Sequence, residues 1–575
     1  MTIFRPQAIR SSSIPPSSDE TNSMKPLVCS VKGSLLLIAT FWIAACGDAQ
    51  LDAALDTITA DDLTAEVLTL SSDEFEGRAP ASPGEEKTVE YLKAEFERIG
   101  LEPGNGDSYY QEVPLVSITA EPGANLLVRG DGSAHRFSYG DDIMVWTKRV
   151  VGSAAISNSE MVFVGYGVVA PEYGWNDYAG IDVRGKTVIV LVNDPGYATQ
   201  DTALFNGNAM TYYGRWTYKF EEAARQGAAA ALIVHETEPA SYPWGTVQAS
   251  WSGPQFGLVA EDNNMSRVAV EGWITLETAR TIFQQAGISY DSVKTLATQA
   301  DFEAIPLHLN ASLSLRNTIK QSTSRNVLAV VPGSTRPDEY FLYMAHWDHF
   351  GIDRSLEGDQ IYNGALDNAT GTAGLLELAE AFMSLEVRPA RSILFLAVTA
   401  EEQGLLGSEY YGRNPVYPLD KTVAAINMDA LNILGPMNDV TVIGLGYSDL
   451  DEYLVDAAGE QHRVVTPDAE PEAGYYYRSD HFSLAKVGVP ALYAGEGTDH
   501  VEYGPEWTRQ KRDEYQANHY HKPSDEYRPD WDLAGAVDDL QLYFRIGYRI
   551  ANESTFPNWR EGTEFKAIRD SMMGN

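Results

Sequence analysis

At 575 residues with 44% apolar side chains, the chain is long enough for two folded units and has the core formers to bury them. Its formal charge of −39 weighs against a nucleic-acid partner, which needs clustered Lys and Arg, and favours a well-solvated surface. The two cysteines, Cys29 and Cys46, both precede the body of the chain, so any metal held there must bind through nitrogen and oxygen, without thiolates or disulfides.

Met24-Lys25 and Lys32 precede the apolar run Leu35 to Ala45, which is too short for a membrane span and reads as a signal peptide. The run ends in Ile43-Ala44-Ala45-Cys46, which resembles the lipobox of bacterial lipoproteins, where the leader is removed and the cysteine takes a lipid. Residues 1–46 are therefore expected to be a leader. The mature chain is expected to be exported and anchored to a membrane through Cys46, at the periplasmic face of the outer membrane or the cell surface.

Residues 50–148 follow, with helices predicted at Leu63 to Leu70 and at Gly84 to Ile99, the second stopped by Gly100. From 149 to 300 the pattern is β-rich. Short runs such as Met161 to Val164 and Thr187 to Val192 are separated by Gly and Pro, and one helix, Phe220 to Gln226, leads into a strand at Ala230 to Val234. This stretch reads as a module inserted into a larger domain. From 301 to 575, apolar runs at Val327 to Val331, Tyr340 to Ala345, Ile393 to Thr399 and Val423 to Met428 alternate with a helix at Thr372 to Leu385. That alternation predicts the α/β class, a mixed central sheet flanked by helices.

Gly180 to Thr187 satisfies the P-loop pattern letter for letter, but the context rejects it. A P-loop opens a helix whose N-terminus receives phosphate, whereas Thr187 begins a β-branched run.

Three of the predicted strands run directly into ionisable residues: His346-Trp347-Asp348-His349, Glu401-Glu402 and Asp429. In open α/β sheets, sites form at the carboxyl ends of strands. Asp367 lies just before a helix and His521 lies in Tyr520-His521-Lys-Pro-Ser-Asp525. Each residue alone has a structural explanation as a cap, a turn or a buried histidine. Gathered at one sheet edge, they would leave buried charge uncompensated unless cations share the pocket.

The order and spacing of His346-x-Asp348, Leu366-Asp-Asn, Glu401-Glu402, Asn427-Met-Asp429 and Tyr520-His521 resemble the M28 family of zinc metallopeptidases. The segment Leu70 to Arg78 resembles the family's N-terminal stretch, and the inserted module, with Val164-Gly-Tyr-Gly167, resembles a protease-associated domain. The resemblance implies a zinc-exopeptidase fold and two Zn2+ ions, for which Co2+ or Mn2+ can substitute. Asp367 would bridge the ions, His346 and Asp429 would complete one site, and Glu402 and His521 the other. Glu401 would be the general base, and Tyr476 would stabilise the oxyanion. Asp348 would orient His346, and Asp525 would do the same for His521. His349, His481, His500 and His519 are not needed as ligands.

The implied activity is hydrolysis of peptide substrates, foremost as an aminopeptidase releasing N-terminal residues. A carboxypeptidase or dipeptidase of the glutamate-carboxypeptidase type on the same scaffold is the alternative, and it would need basic residues such as Arg215 and Arg478 for a terminal carboxylate. A non-catalytic binding protein would have lost ligands, and none of the five is missing.

Overall fold

The apolar runs of the C-terminal half become the middle of a mixed sheet. In the computed structural model, which describes residues 50–121, 125–130 and 132–574, the strands Arg391–Val398, Arg336–His346, Thr422–Asn427 and Ala491–Gly495 lie side by side in that order, all parallel. The expected leader and signal peptide, with Cys46, lie outside the described residues. The three strands that bring the ionisable residues are buried on both faces along most of their length, which is why they read as continuous apolar runs. Antiparallel strands extend the sheet: the second half of Ile305–Val331 and then Tyr110–Ala120 on one side, and Asp439–Val442 on the other.

Register fixes the height of the site. His346 is level with Val398, and Met344 is level with both Leu396 and Asn427, so the chain segments leaving all three strands emerge together.

Helices cover both faces. On one, Leu342, Met344, Leu394 and Leu396 pack with Tyr411 of helix Leu406–Arg413 and Leu484 of helix His481–Ala485. On the other, Tyr343 and Phe395, stacked on each other, pack against Phe382 of helix Thr370–Ser384, which also meets Ala60–Leu70, Pro83–Ile99 and Ala534–Asn552. The N-terminal helices start at side-chain caps. Thr59 accepts from the Asp62 amide, and Ser82, followed by Pro83, accepts from the amides of Gly84 and Glu85. Gly100 ends the second helix with φ of 99°, as its position beyond Ile99 predicts.

The β-rich stretch forms a second layer. Strands Ser153–Phe163, Thr187–Leu191, Ala230–His235 and Val270–Thr275 are parallel neighbours in sequence order. Asn125–Gly130 and Ser133–Ser138 add a hairpin, and Ile143–Trp146 closes the far edge. The layer therefore takes strands from before residue 149 and after residue 300. In the added hairpin Asn125–Gly130 buries Leu126 and Val128, whereas Ser133–Ser138 is exposed except at Phe137 and lacks the apolar alternation that marks a strand in the sequence. Strand Ile305–Val331 belongs to both layers, pairing with Ser153–Phe163 through its first half and with Tyr110–Ala120 through its second. The chain from Ala53 onward is one compact unit.

The P-loop pattern ends as a turn at Gly185, φ 73°, and strand Thr187–Leu191, with no helix to receive phosphate. No helix among the described residues is long and apolar enough to cross a membrane.

Candidate metal centre

His346 closes its strand, while Glu401, Glu402 and Asp429 lie a few residues past the ends of the two flanking strands. Asp367 arrives from the segment Ala365–Ala369 that leads into helix Thr370–Ser384, and His521 from the turn after helix Gly504–Asn518.

Two imidazole nitrogens organise the cluster. His346 Nε2 lies 3.3 Å from Asp367 Oδ1 and 3.2 Å from Asp429 Oδ1. His521 Nε2 lies 3.2 Å from Asp367 Oδ2 and 3.3 Å from Glu402 Oε2. Each oxygen of Asp367 thus faces a different histidine, and each histidine has one carboxylate of its own. A tetrahedral ion bound by N and O at about 2.0–2.1 Å holds its ligand atoms about 3.3–3.4 Å apart, which is the spacing found at both positions. The donor set, imidazole and carboxylate without thiolate, suits zinc.

His349 competes for the second position, because His349, Asp367 and Glu402 also gather within ligand distance of one another. Its Nδ1 is 2.5 Å from Glu402 Oε1, while Glu402 Oε2 remains turned toward His521. His521 Nε2 faces two carboxylates at ligand-edge spacing, whereas His349 bonds Glu402 alone through Nδ1.

Electrostatics supports the need for cations. Burial lowers the proton affinity of His346, but the facing Asp429 and Glu401 outweigh it and hold the imidazole well above its ordinary pKa. Burial raises Asp367, yet bonds from His346 and His521 hold it well below the carboxylate range. Glu401 and Glu402 are pushed well above that range by burial and then by neighbouring carboxylates. The cluster has more carboxylates than its imidazoles can neutralise.

Asn368, fully buried, ties the two aspartate-bearing segments together. Its Nδ2 donates to Met428 O at 2.9 Å, and its Oδ1 accepts from the amides of Gly371 and Ala430 at 2.9 and 3.1 Å. Gly371 permits this approach, since a Cβ there would come within 2.6 Å of Met428 O. Ser479 Oγ donates to Asp429 Oδ2 at 2.6 Å. Below the site the buried Arg78 donates to the carbonyls of Trp347, Leu70, Asn363 and Gly364 at 2.6–2.9 Å. Burial brings that guanidinium down to about 10 despite Asp525 and Asp348 nearby. The sequence marks Arg78 only as part of a resembling segment.

Three expected partnerships differ. Asp348 does not reach His346 with its carboxylate, whose Oδ1 is 3.8 Å from Nδ1; the Asp348 carbonyl, at 3.2 Å, is the acceptor. The carboxylate accepts from the Glu401 amide at 3.0 Å and so positions that residue. Asp525 accepts from the amides of Leu366 and Asp367 at 3.2 and 3.1 Å, and so steadies Asp367 where His521 was the expected partner. Tyr476 is buried among Tyr477, Phe482, Trp559 and Phe565, and its hydroxyl meets no partner, because the three-tyrosine turn directs it into the core. The phenols that face the carboxylates are Tyr493 and Tyr520, the latter stacked on His521 with ring centroids 3.8 Å apart.

The cluster opens into a cleft of about 2220 Å³, whose lining includes Glu401, Tyr493 and Tyr520 together with Arg215 and Trp216 of the second layer and Phe256 of the main sheet.

The profile of peptidase family M28 matches residues 326–545. Aminopeptidase NAALADL1 of Mus musculus is 34% identical over 131 residues, 22% of this chain and 16% of that protein. The glutamate carboxypeptidase 2 homolog of Caenorhabditis elegans is 30% identical over 205 residues, 33% of this chain and 24% of that protein. The chain thus spans less than a quarter of the length of either relative. Among solved structures, an aminopeptidase from Aneurinibacillus sp. strain AM-1 superposes with a TM-score of 0.49 at 19% identity, covering 88% of this chain and 97% of that one. Residues 326–545, the stretch that matches peptidase family M28, carry all five candidate ligands and Glu401.

Proposed function

We propose that the protein is a di-zinc exopeptidase, foremost an aminopeptidase, with His346, Asp367 and Asp429 holding one ion and His521, Asp367 and Glu402 the other. The observation that carries this reading is the paired spacing of 3.2–3.3 Å between each Nε2 and its two carboxylate oxygens. Two ions at such a site polarise a carbonyl and lower the pKa of water toward neutrality. The chain's own residues do the rest. Glu401, held through its amide by Asp348 and raised in proton affinity by burial and then by its carboxylate neighbours, takes the proton of the attacking water and returns it to the leaving amine. Tyr520, on the cleft wall beside His521, donates its hydroxyl to the carbonyl oxygen as charge develops there. The second layer facing the cluster across the cleft favours the end of a peptide over its middle. That layer serves as a protease-associated module, and the run ending at Cys46 makes the protein an exported lipoprotein.

Elemental analysis of the purified protein is expected to find two zinc ions per chain, and chelation to abolish hydrolysis of leucyl nitroanilide until zinc is restored. Glu401→Ala is expected to keep its metal and lose turnover by about a hundredfold to ten-thousandfold. Full activity without bound transition metal would overturn the reading.

A further inference from the structure

Strand Pro254–Leu258 closes one side of the main sheet, and among the described residues it pairs only with Tyr110–Ala120. Its other edge is therefore open, and the register says which groups stand there. The Leu328 amide donates to Tyr109 O, so odd-numbered residues of the strand Tyr110–Ala120 turn their main-chain groups to Ile305–Val331 and even-numbered ones to Pro254–Leu258. Gln255, level with Ile118, and Gly257, level with Val116, accordingly make the ladder bonds, while Phe256 and Leu258 turn theirs outward. Two observations agree with this. Leu258 O accepts from the Asn264 side chain at 3.0 Å, and Pro254, which has no N–H to give a ladder, falls on the outward side. The N–H and C=O of Phe256 meet no partner among the described residues.

The open edge belongs to the reaction cleft. Ile305–Val331 pairs with Arg391–Val398 only as far as Val327, level with Ala397, whereas its pairing with Tyr110–Ala120 runs on to Asn317. That arm of the sheet rises past the carboxyl ends of the parallel strands, where the ionisable residues gather. Phe256 and Leu258 pack against a cluster of Val113, Leu115, Ala400 and Leu406, and Ala400 directly precedes Glu401. The strand lines the cleft into which the metal cluster opens, and a Cβ on Gly257 would meet no other heavy atom within 4 Å, so there is room beside it.

An unpaired strand edge is a template for another strand, and pairing through main-chain groups binds a peptide with little regard to its side chains. This edge faces a cavity that a peptide must enter to reach the metal cluster. The occupant that fits is the substrate.

We propose that the Phe256 edge pairs with the main chain of the substrate, which lies in the cleft as an added β-strand, so that extended peptides of four or more residues are preferred to dipeptides. The proposal rests on the aminopeptidase reading and deepens it. With the residue to be released at the metal cluster, the chain beyond it advances about 3.3 Å per residue and meets the edge at about its third or fourth residue.

The test measures kcat/KM on the zinc-loaded protein for leucyl-alanine peptide amides of two to six residues. We expect a rise of about tenfold to a hundredfold between the dipeptide and the pentapeptide and little beyond it, the worth of two main-chain hydrogen bonds. N-methylation of the third or of the fourth residue of the pentapeptide separates pairing from length, because neighbouring residues of a strand turn their N–H groups to opposite edges. One placement is expected to lose the gain and the other to keep it. Phe256→Pro removes the outward N–H and leaves the ladder bonds of Gln255 and Gly257, so it is expected to abolish the gain, whereas Phe256→Ala loses the ring, keeps the N–H and retains the gain. Rates indifferent to length, or a gain that tolerates both methylations, overturn the proposal. Calorimetric titration of the zinc-loaded Glu401→Gln protein with the same peptides reads binding without turnover. Tighter binding of the longer peptides that one methylation abolishes supports the edge even if the native protein hydrolyses none of them, whereas binding indifferent to length and methylation sinks it.

Discussion

Asn368 joins the two segments that bear Asp367 and Asp429, through one donor and two accepted bonds in a fully buried place. Leu has nearly its shape and none of its polarity. Asn368→Leu is therefore expected to strand the Gly371 and Ala430 amides and to lower zinc affinity by about tenfold to a hundredfold, measured by competition with a chromophoric chelator. The tyrosines give a second test. Tyr520→Phe is expected to lower kcat by about a hundredfold or more with little change in KM, as removal of an oxyanion donor does, while Tyr476→Phe, whose hydroxyl has no partner, leaves kcat near its original value. The sequence brings four of the five candidate ligands to notice because His346, Glu402 and Asp429 stand beside apolar runs and Asp367 before a helix start, where type and position are both visible; His521, in a polar turn, shows only through the spacing of Tyr520-His521 in the resembling family. It does not show where a side chain points. Three successive tyrosines offer no way to tell which faces the core, and an acid near His521 is as ready to hold the amides of Leu366 and Asp367 as to hold the imidazole.

The parallel strands are the most legible elements, because burial on both faces leaves an uninterrupted apolar run with an abrupt polar end. The helices show through caps and periodicity, and Thr59, Ser82 and Gly100 mark their limits. The long strand Ile305–Val331 is harder to read, since its middle is largely exposed and its two halves serve different layers. Packing between helices also sets a pH dependence no single element reveals. Glu377, on helix Thr370–Ser384, is buried against the start of helix Ala60–Leu70, and its Oε2 accepts from the Thr59 amide at 3.2 Å. Burial first, and then nearby Asp62, Glu380 and Glu66, push its pKa from the ordinary 4.5 to about 8. Between those values the folded protein holds a proton that the unfolded chain releases, so this group's contribution to stability is whole below about pH 4.5 and is lost as pH rises toward 8. Gln keeps an acceptor for Thr59 and cannot ionise. Glu377→Gln is expected to raise the denaturation midpoint at about pH 8 and to change it little near pH 5; equal gains at both would remove the titration argument.

At the scale of the whole molecule, the strongly acidic chain concentrates unbalanced negative charge at the join of its sheet and loops, where Asp367, Glu401, Glu402 and Asp429 share one pocket with the imidazoles of His346 and His521. Cations that bind the folded form and not the unfolded chain stabilise it in proportion to the logarithm of their concentration over Kd, about 4 kcal/mol at a thousandfold excess. Chelation removes that contribution and leaves the carboxylates to repel. Without cations Glu401 and Glu402 have pKa values raised well above the carboxylate range, so the folded state takes up protons more readily than the unfolded chain does. Stability of the metal-free protein must then rise as pH falls from those raised values toward the ordinary one, while metal binding weakens over the same span as protons compete for the ligands. Both effects act in one direction. Thermal denaturation with and without chelator is expected to show a loss in Tm that is largest at about pH 8, smaller near pH 6, and restored by added zinc. A loss of the same size at both pH values would mean that the cluster is held together by packing, and that charge compensation is not what shapes it.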